Sequence, residues 1–148
     1  MMPESRKQGV PMTQEKHNAA ILGGGSFGTA MASILAANGH NVNLWVRDPE
    51  TAAAINIDRE NTRYLPGAEL PKEVTATDSL EEALGGASMV FVAIPSKAFA
   101  EVLEQARQWV PDEAVVISCT KGIYADGFLL MSELLHQYWP HTRIGVLS

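Results

Sequence analysis

The amino-acid sequence predicts an α/β fold in which one open, doubly wound parallel sheet carries helices on both faces. Short apolar runs alternate with helical patterns along most of the chain, one of those runs has no polar alternation, and a glycine-rich turn joins the first run to the first helical pattern. With 148 residues, 46% of them apolar, the chain is long enough for one domain. A chain of this size buries roughly 70% of its unfolded surface.

Residues 1–18 hold charges, Pro3 and Pro11 and no apolar run long enough for a signal-peptide core, so they are read as a mobile arm ahead of a domain over residues 19–148. The apolar runs are 19–22, 42–46, 74–77, 89–94, 114–117 and 144–147. The fourth, Met-Val-Phe-Val-Ala-Ile, is the signature of a central strand covered on both faces. Between the runs the period becomes helical. Phe27, Ala30, Met31, Ile34 and Leu35 form the first such stripe, ending at Asn38-Gly39. Phe99, Val102, Leu103, Ala106 and Val110 precede Pro111, and Phe128, Met131, Leu134, Leu135 and Tyr138 precede Pro140. Six strands joined through helices give, most simply, the strand order 3-2-1-4-5-6. One long loop is expected, at about residues 59–73.

The turn after the first run carries the chemistry. It reads Gly23-Gly24-Gly25-Ser26-Phe27-Gly28 and satisfies G-x-G-x-x-G at Gly23, Gly25 and Gly28. In that pattern the first glycine permits the tight turn, the second lets a pyrophosphate approach the backbone, and the third lets helix pack closely on strand. Free N–H groups at the helix start then face the anion. Alone the motif is weak, since consecutive glycines also make ordinary flexible turns. Its place between a buried strand and an amphipathic helix points to dinucleotide binding in a Rossmann-type domain. The second run ends in Leu44-Trp45-Val46-Arg47-Asp48, about 20 residues beyond the motif, where an acidic side chain holds a ribose hydroxyl or an arginine accommodates a 2′-phosphate. Arg47 is the favoured adenosine-side contact, with a plain surface arginine as the alternative. Asp48, before Pro49, could equally cap the next helix.

The loops after strands four and five, Ile94-Pro95-Ser96-Lys97 and Ser118-Cys119-Thr120-Lys121-Gly122, are expected to face the same crevice. Lys121 is the more pointed candidate for reaching a phosphate or a polarised oxygen, or else a solvated lysine before a turn glycine. Other chemistry is thin. The four histidines lack metal-ligand spacing and are read as surface residues; Glu81 and Glu82 diverge on a helix and are read as a solvated face; Ser26 has no histidine placed to activate it. No catalytic residue and no metal site are expected in this chain. A formal charge of -6 is wrong for a nucleic-acid partner. The single cysteine, Cys119, excludes an intrachain disulfide, no segment approaches a membrane span, and a cytoplasmic location is expected.

With these residues in view, the chain resembles the N-terminal domain of bacterial NAD(P)-dependent glycerol-3-phosphate dehydrogenases. The resemblance runs through Leu22–Ala30, Asn38–His40, Leu44–Arg47, Asn61–Gly67, Ala93–Ser96 and Thr120–Gly122. The Asn-Thr-Arg-Tyr-Leu-Pro loop is far more specific than the glycine turn. The resemblance implies that NADP or NAD is contacted at Ser26, Phe27, Arg47 and Tyr64, and by Lys121, which also reaches the substrate. Gly24 stands where the family usually has alanine and Phe27 where it often has tryptophan; neither removes a needed group. It further implies reversible conversion of dihydroxyacetone phosphate to sn-glycerol 3-phosphate for phospholipid synthesis. The family continues beyond Ser148 into a helical substrate domain that carries the catalytic lysine, so the natural protein is expected to be longer, inactive as this chain alone, and able to form a homodimer through that further domain. The alternatives are another dehydrogenase with this nucleotide domain, for a 2-hydroxyacid or a sugar phosphate, and a non-catalytic dinucleotide-sensing module.

Overall fold

The structure, a computed structural model, describes residues 15–120, 123–124, 129–140 and 142–147. Its elements run β1 (Asn18–Leu22), α1 (Ser26–Ala37), β2 (Asn41–Trp45), α2 (Pro49–Asp58), β3 (Val74–Thr77), α3 (Leu80–Leu84) and β4 (Met89–Val92). They continue with α4 (Ser96–Ala106), β5 (Val115–Ser118), β6 (Ile123–Tyr124), β7 (Leu129–Leu130), α5 (Met131–Tyr138) and β8 (Arg143–Val146). Six strands make one parallel sheet in the order β3-β2-β1-β4-β5-β8. That is the order read from the sequence, with β8 as the sixth strand. The order reverses at β1, which pairs with β2 on one side and β4 on the other, and so opens a crevice at the carboxyl ends of β1 and β4.

Burial on both sheet faces explains why the strands lack polar alternation. In β1, Ala19 and Ile21 join the core under α1 and α2, while Ala20 and Leu22 join the core under α3, α4 and α5. β4 divides likewise, with Phe91 on the first face and Val90 and Val92 on the second. Val110 lies beyond the end of α4 yet is buried in the second core, which is why its spacing continues the helical stripe.

Four details differ from the sequence reading. The buried side of α1 is Gly28, Thr29, Ala32 and Ala36, whereas Phe27 and Ile34 are exposed. Small side chains win because the helix lies close on β1, where a larger residue would hold it away. A two-stranded antiparallel pair, β6 with β7, stands between β5 and α5, where only a crossover helix was expected; Phe128 of that expected stripe lies outside the described residues. His17 and His40 are half-buried rather than simply superficial, since the His17 N–H donates to His40 Nδ1 at 3.0 Å. Glu82 is exposed but engaged, accepting a hydrogen bond from Thr77 Oγ1 at 2.8 Å.

Candidate functional site

The three motif glycines have different local reasons to be glycine. Gly23 takes φ +123° while its N–H donates to the Trp45 carbonyl at 3.0 Å, and a Cβ there would collide with the Ala93 carbonyl oxygen. At Gly28 a Cβ would strike the Gly23 carbonyl oxygen. The chain itself therefore demands both residues. Gly25 is another matter. It has φ -75° and ψ -169°, a conformation open to any residue, and a Cβ built on it finds nothing within 4 Å. Nothing within the described residues requires glycine at position 25; a ligand resting against the backbone would.

Gly25 also begins α1. The first helical bond runs from the Thr29 N–H to the Gly25 carbonyl at 2.9 Å, which leaves the N–H groups ahead of it without an intrahelical acceptor. No side chain caps this end and the first turn has no acidic residue. The helix after β2 is treated differently. Asp48 caps α2, accepting from the Glu50 N–H at 3.2 Å and from Thr51 Oγ1 at 2.9 Å, with Pro49 at the first position. Thr51 first, then the Glu50 N–H, hold the Asp48 carboxyl below its ordinary value. Asp48 thus takes the capping role, and its carboxylate is occupied in the helix.

The loop 59–73 folds back onto the glycine turn. Its ends are closed by Arg59, which donates to the Pro71 and Val74 carbonyls, and by the Leu70 N–H, which donates to the Arg59 carbonyl at 2.7 Å. Asn61 is buried and reaches the Gly24 carbonyl and Thr29 Oγ1. Ser26 Oγ donates to the Tyr64 carbonyl at 2.7 Å. Tyr64 is exposed, with the Arg63 guanidinium 5.2 Å from its ring centroid, and Phe27 is exposed on the first turn of α1. The structure therefore brings Gly23, Gly25, Ser26, Phe27, Gly28 and the Tyr64 backbone to one place. The Ser26 hydroxyl already uses its hydrogen on the loop, so the group it has left to offer an anion is its backbone N–H.

Arg47 stands apart at the carboxyl end of β2, exposed, with a guanidinium nitrogen 3.7 Å from Glu101 Oε1 of α4. A pair so exposed is worth about 0–1 kcal/mol and is readily exchanged for a phosphate. On the other side of the crevice, Thr120 Oγ1 ties the end of β5 to the β4 loop through the Ile94 carbonyl at 2.5 Å. Lys97 is exposed on the first turn of α4. Lys121 lies outside the described residues. Burial pushes the half-buried Cys119 thiol up to about 11, which keeps it neutral and unreactive near pH 7. Among the described residues, no group of three or more His, Cys, Asp or Glu side chains is placed to hold a metal ion, and no helix is long and apolar enough to cross a membrane.

Sequence reasoning missed Asn61 as an individual. It lies in the Asn-Thr-Arg-Tyr-Leu-Pro segment, but an asparagine in a loop ordinarily signals a turn, and nothing local announces burial against the glycine turn.

An uncapped helix start, free space beside Gly25 and a strand reversal between β1 and β4 fit the diphosphate of a dinucleotide. Together they define the class: a Rossmann-type nucleotide-binding domain. Residues 18–148 match the family model described as the NAD-dependent glycerol-3-phosphate dehydrogenase N-terminus. The chain is 48% identical over 140 residues to a glycerol-3-phosphate dehydrogenase [NAD(P)+] of Pseudomonas fluorescens, an alignment covering 95% of this chain and 39% of that protein. The solved glycerol-3-phosphate dehydrogenase of Coxiella burnetii superposes with a TM-score of 0.83 at 30% identity, covering 88% of this chain and 40% of that one. The yeast enzyme superposes with a TM-score of 0.81 at 26% identity over 90% of this chain and 42% of that one. The chain belongs to the family of NAD-dependent glycerol-3-phosphate dehydrogenase N-terminal domains. It spans about 39% of the length of the bacterial relative.

Proposed function

We propose that this chain binds NADP or NAD across the carboxyl edge of its sheet and is the cofactor half of an enzyme interconverting dihydroxyacetone phosphate and sn-glycerol 3-phosphate. The observation that carries the reading is Gly25, a glycine with ordinary backbone angles and empty space beside it, at a helix start that no side chain caps. The diphosphate would lie against the N–H groups of the first turn of α1, where partial positive charge and hydrogen-bond donors coincide. Gly23 and Gly28 shape that turn. Ser26 joins it through its backbone, Phe27 and Tyr64 offer aromatic faces beside it, and Arg47 meets the adenosine ribose or its 2′-phosphate. Lys121 follows β5 and would reach cofactor and substrate.

When bound, the dinucleotide supplies or accepts the hydride exchanged with the carbonyl carbon of the substrate. The residues of this chain hold and orient it, and they exclude the alternatives of position on which a near-attack geometry depends. Proton delivery to the substrate oxygen falls to groups beyond Ser148, and the cofactor module is the domain whose sheet begins at Asn18. The whole protein acts in the cytoplasm, supplies phospholipid synthesis and pairs as a homodimer through its further domain. The test is a fluorescence titration of the purified chain with NADPH, followed by absorbance after dihydroxyacetone phosphate is added. Saturable binding without turnover is expected. Absence of binding, or robust turnover, would overturn the reading.

A further inference from the structure

We infer that Asn61 is a positioning residue for the diphosphate seat: with Thr29 it clamps the Gly24 carbonyl and thereby aims the Gly25 N–H into the open space beside the α1 start. The inference rests on the dinucleotide reading above. Asn61 is 2% exposed and Thr29 fully buried. Asn61 Nδ2 donates to the Gly24 carbonyl at 2.8 Å and to Thr29 Oγ1 at 2.9 Å, and Thr29 Oγ1 in turn donates to the same carbonyl at 3.3 Å. The amide orientation follows from chemistry. A carbonyl oxygen can only accept, so the NH2 end of Asn61 must face it, and both its hydrogens are used. The Gly24 oxygen then receives two hydrogen bonds from the buried side.

The planar peptide turns this clamp into an aiming device. Carbonyl and N–H of one trans peptide unit point in opposite directions, so holding the Gly24 oxygen inward turns the Gly25 N–H outward. The unit concerned lies between two glycines, the part of the turn with the most backbone freedom and no side chain of its own to fix it. Without the clamp, ordering that peptide would fall on the binding step and weaken affinity; with it, the donor is pre-set. The same asparagine draws in the rest of the loop, since its carbonyl accepts from the Leu65 N–H at 2.8 Å and the Tyr64 N–H at 3.3 Å, while Ser26 Oγ bonds the Tyr64 carbonyl.

A residue that merely holds the loop would affect stability alone. Leu70, buried in the same loop and remote from the turn in the hydrogen-bond network, provides the control. The experiment measures NADPH and NADH dissociation constants of the purified chain by calorimetry at a temperature where circular dichroism shows every variant folded, with melting temperatures alongside. Asn61→Ala and Thr29→Val are expected to weaken both cofactors by the same factor, about 10-fold or more, because the diphosphate is common to both. Thr29→Ser, which keeps the hydroxyl, should restore affinity. Leu70→Ala should lower the melting temperature and leave affinity unchanged. Wild-type affinity in Asn61→Ala, or an equal loss in Leu70→Ala, would overturn the inference. Should Asn61→Ala fail to fold, the Thr29 pair decides alone, and equal affinities for Thr29→Val and Thr29→Ser would refute it. A wild-type chain that binds neither cofactor overturns the dinucleotide reading and the inference with it.

Discussion

Two strand-to-helix turns lie side by side at the carboxyl edge of the sheet, after β1 and after β2, and they end in opposite ways. The second is self-sufficient: Asp48 caps α2 and Pro49 occupies the position that needs no N–H. The first is left open: α1 starts at a glycine, without a cap and without an acidic residue in its first turn. A helix start costs stability when its N–H groups go unsatisfied, and the difference is the one the proposed function requires, with the open start left to an anion from outside. It also separates glycines that look alike in sequence. Gly23 and Gly28 answer to the fold, whereas nothing in the described residues requires glycine at position 25, which the proposed function assigns to the ligand.

The sharpest way to break this contrast is Gly25→Val. A Cβ is sterically allowed at those backbone angles and finds nothing within 4 Å, so the melting temperature should hold while the valine methyl groups fill the proposed diphosphate seat and abolish binding. Unchanged affinity by calorimetry in the folded variant would remove Gly25 from the site. Gly23→Ala should do the reverse. Strain at φ +123° together with the clash on the Ala93 carbonyl should cost about 2–5 kcal/mol in denaturant unfolding, and a variant as stable as wild type would deny that the fold demands this glycine.

Next in size is Arg47→Ala, which leaves the turn intact and removes the proposed partner of the 2′-phosphate. A charge-assisted hydrogen bond contributes about 1.5–3 kcal/mol, so NADPH affinity should fall about 10- to 150-fold and NADH affinity less. Equal losses for the two cofactors would show that Arg47 does not read the 2′-phosphate. The smallest effect belongs to the capped turn. The Asp48 carboxyl is lowered from 3.8 by the Thr51 hydroxyl and then the Glu50 N–H, so its contribution to stability is present above that value and is lost as pH falls through the lowered one. Asp48→Asn should flatten that part of the acid melting profile without touching NADPH affinity, and a loss of affinity would place Asp48 in the binding site after all.

Much of this was legible in the sequence, for identifiable reasons. The sheet order follows from six apolar runs and one reversal, and β4, buried on both faces, shows it most plainly. The buried face of α1 did not follow, because close approach to β1 selects Gly28, Ala32 and Ala36 over the larger Phe27 and Ile34. Arg47 was the favoured adenosine-side contact and Asp48 had two readings, ribose ligand or helix cap; hydrogen bonds from Glu50 and Thr51 give Asp48 the cap. Asn61 was invisible as a clamp because its partners, Gly24 and Thr29, lie more than thirty positions away in the chain, and no local pattern encodes such a meeting.

The most direct test of the contrast is to follow backbone amide resonances of the isotope-labelled chain during an NADPH titration. The account predicts saturable shifts at Gly25, Ser26, Phe27 and Gly28 at the open start of α1, with Glu50 and Thr51 at the capped start of α2 left in place. Saturation of the chain with the α1 amides unmoved would contradict it.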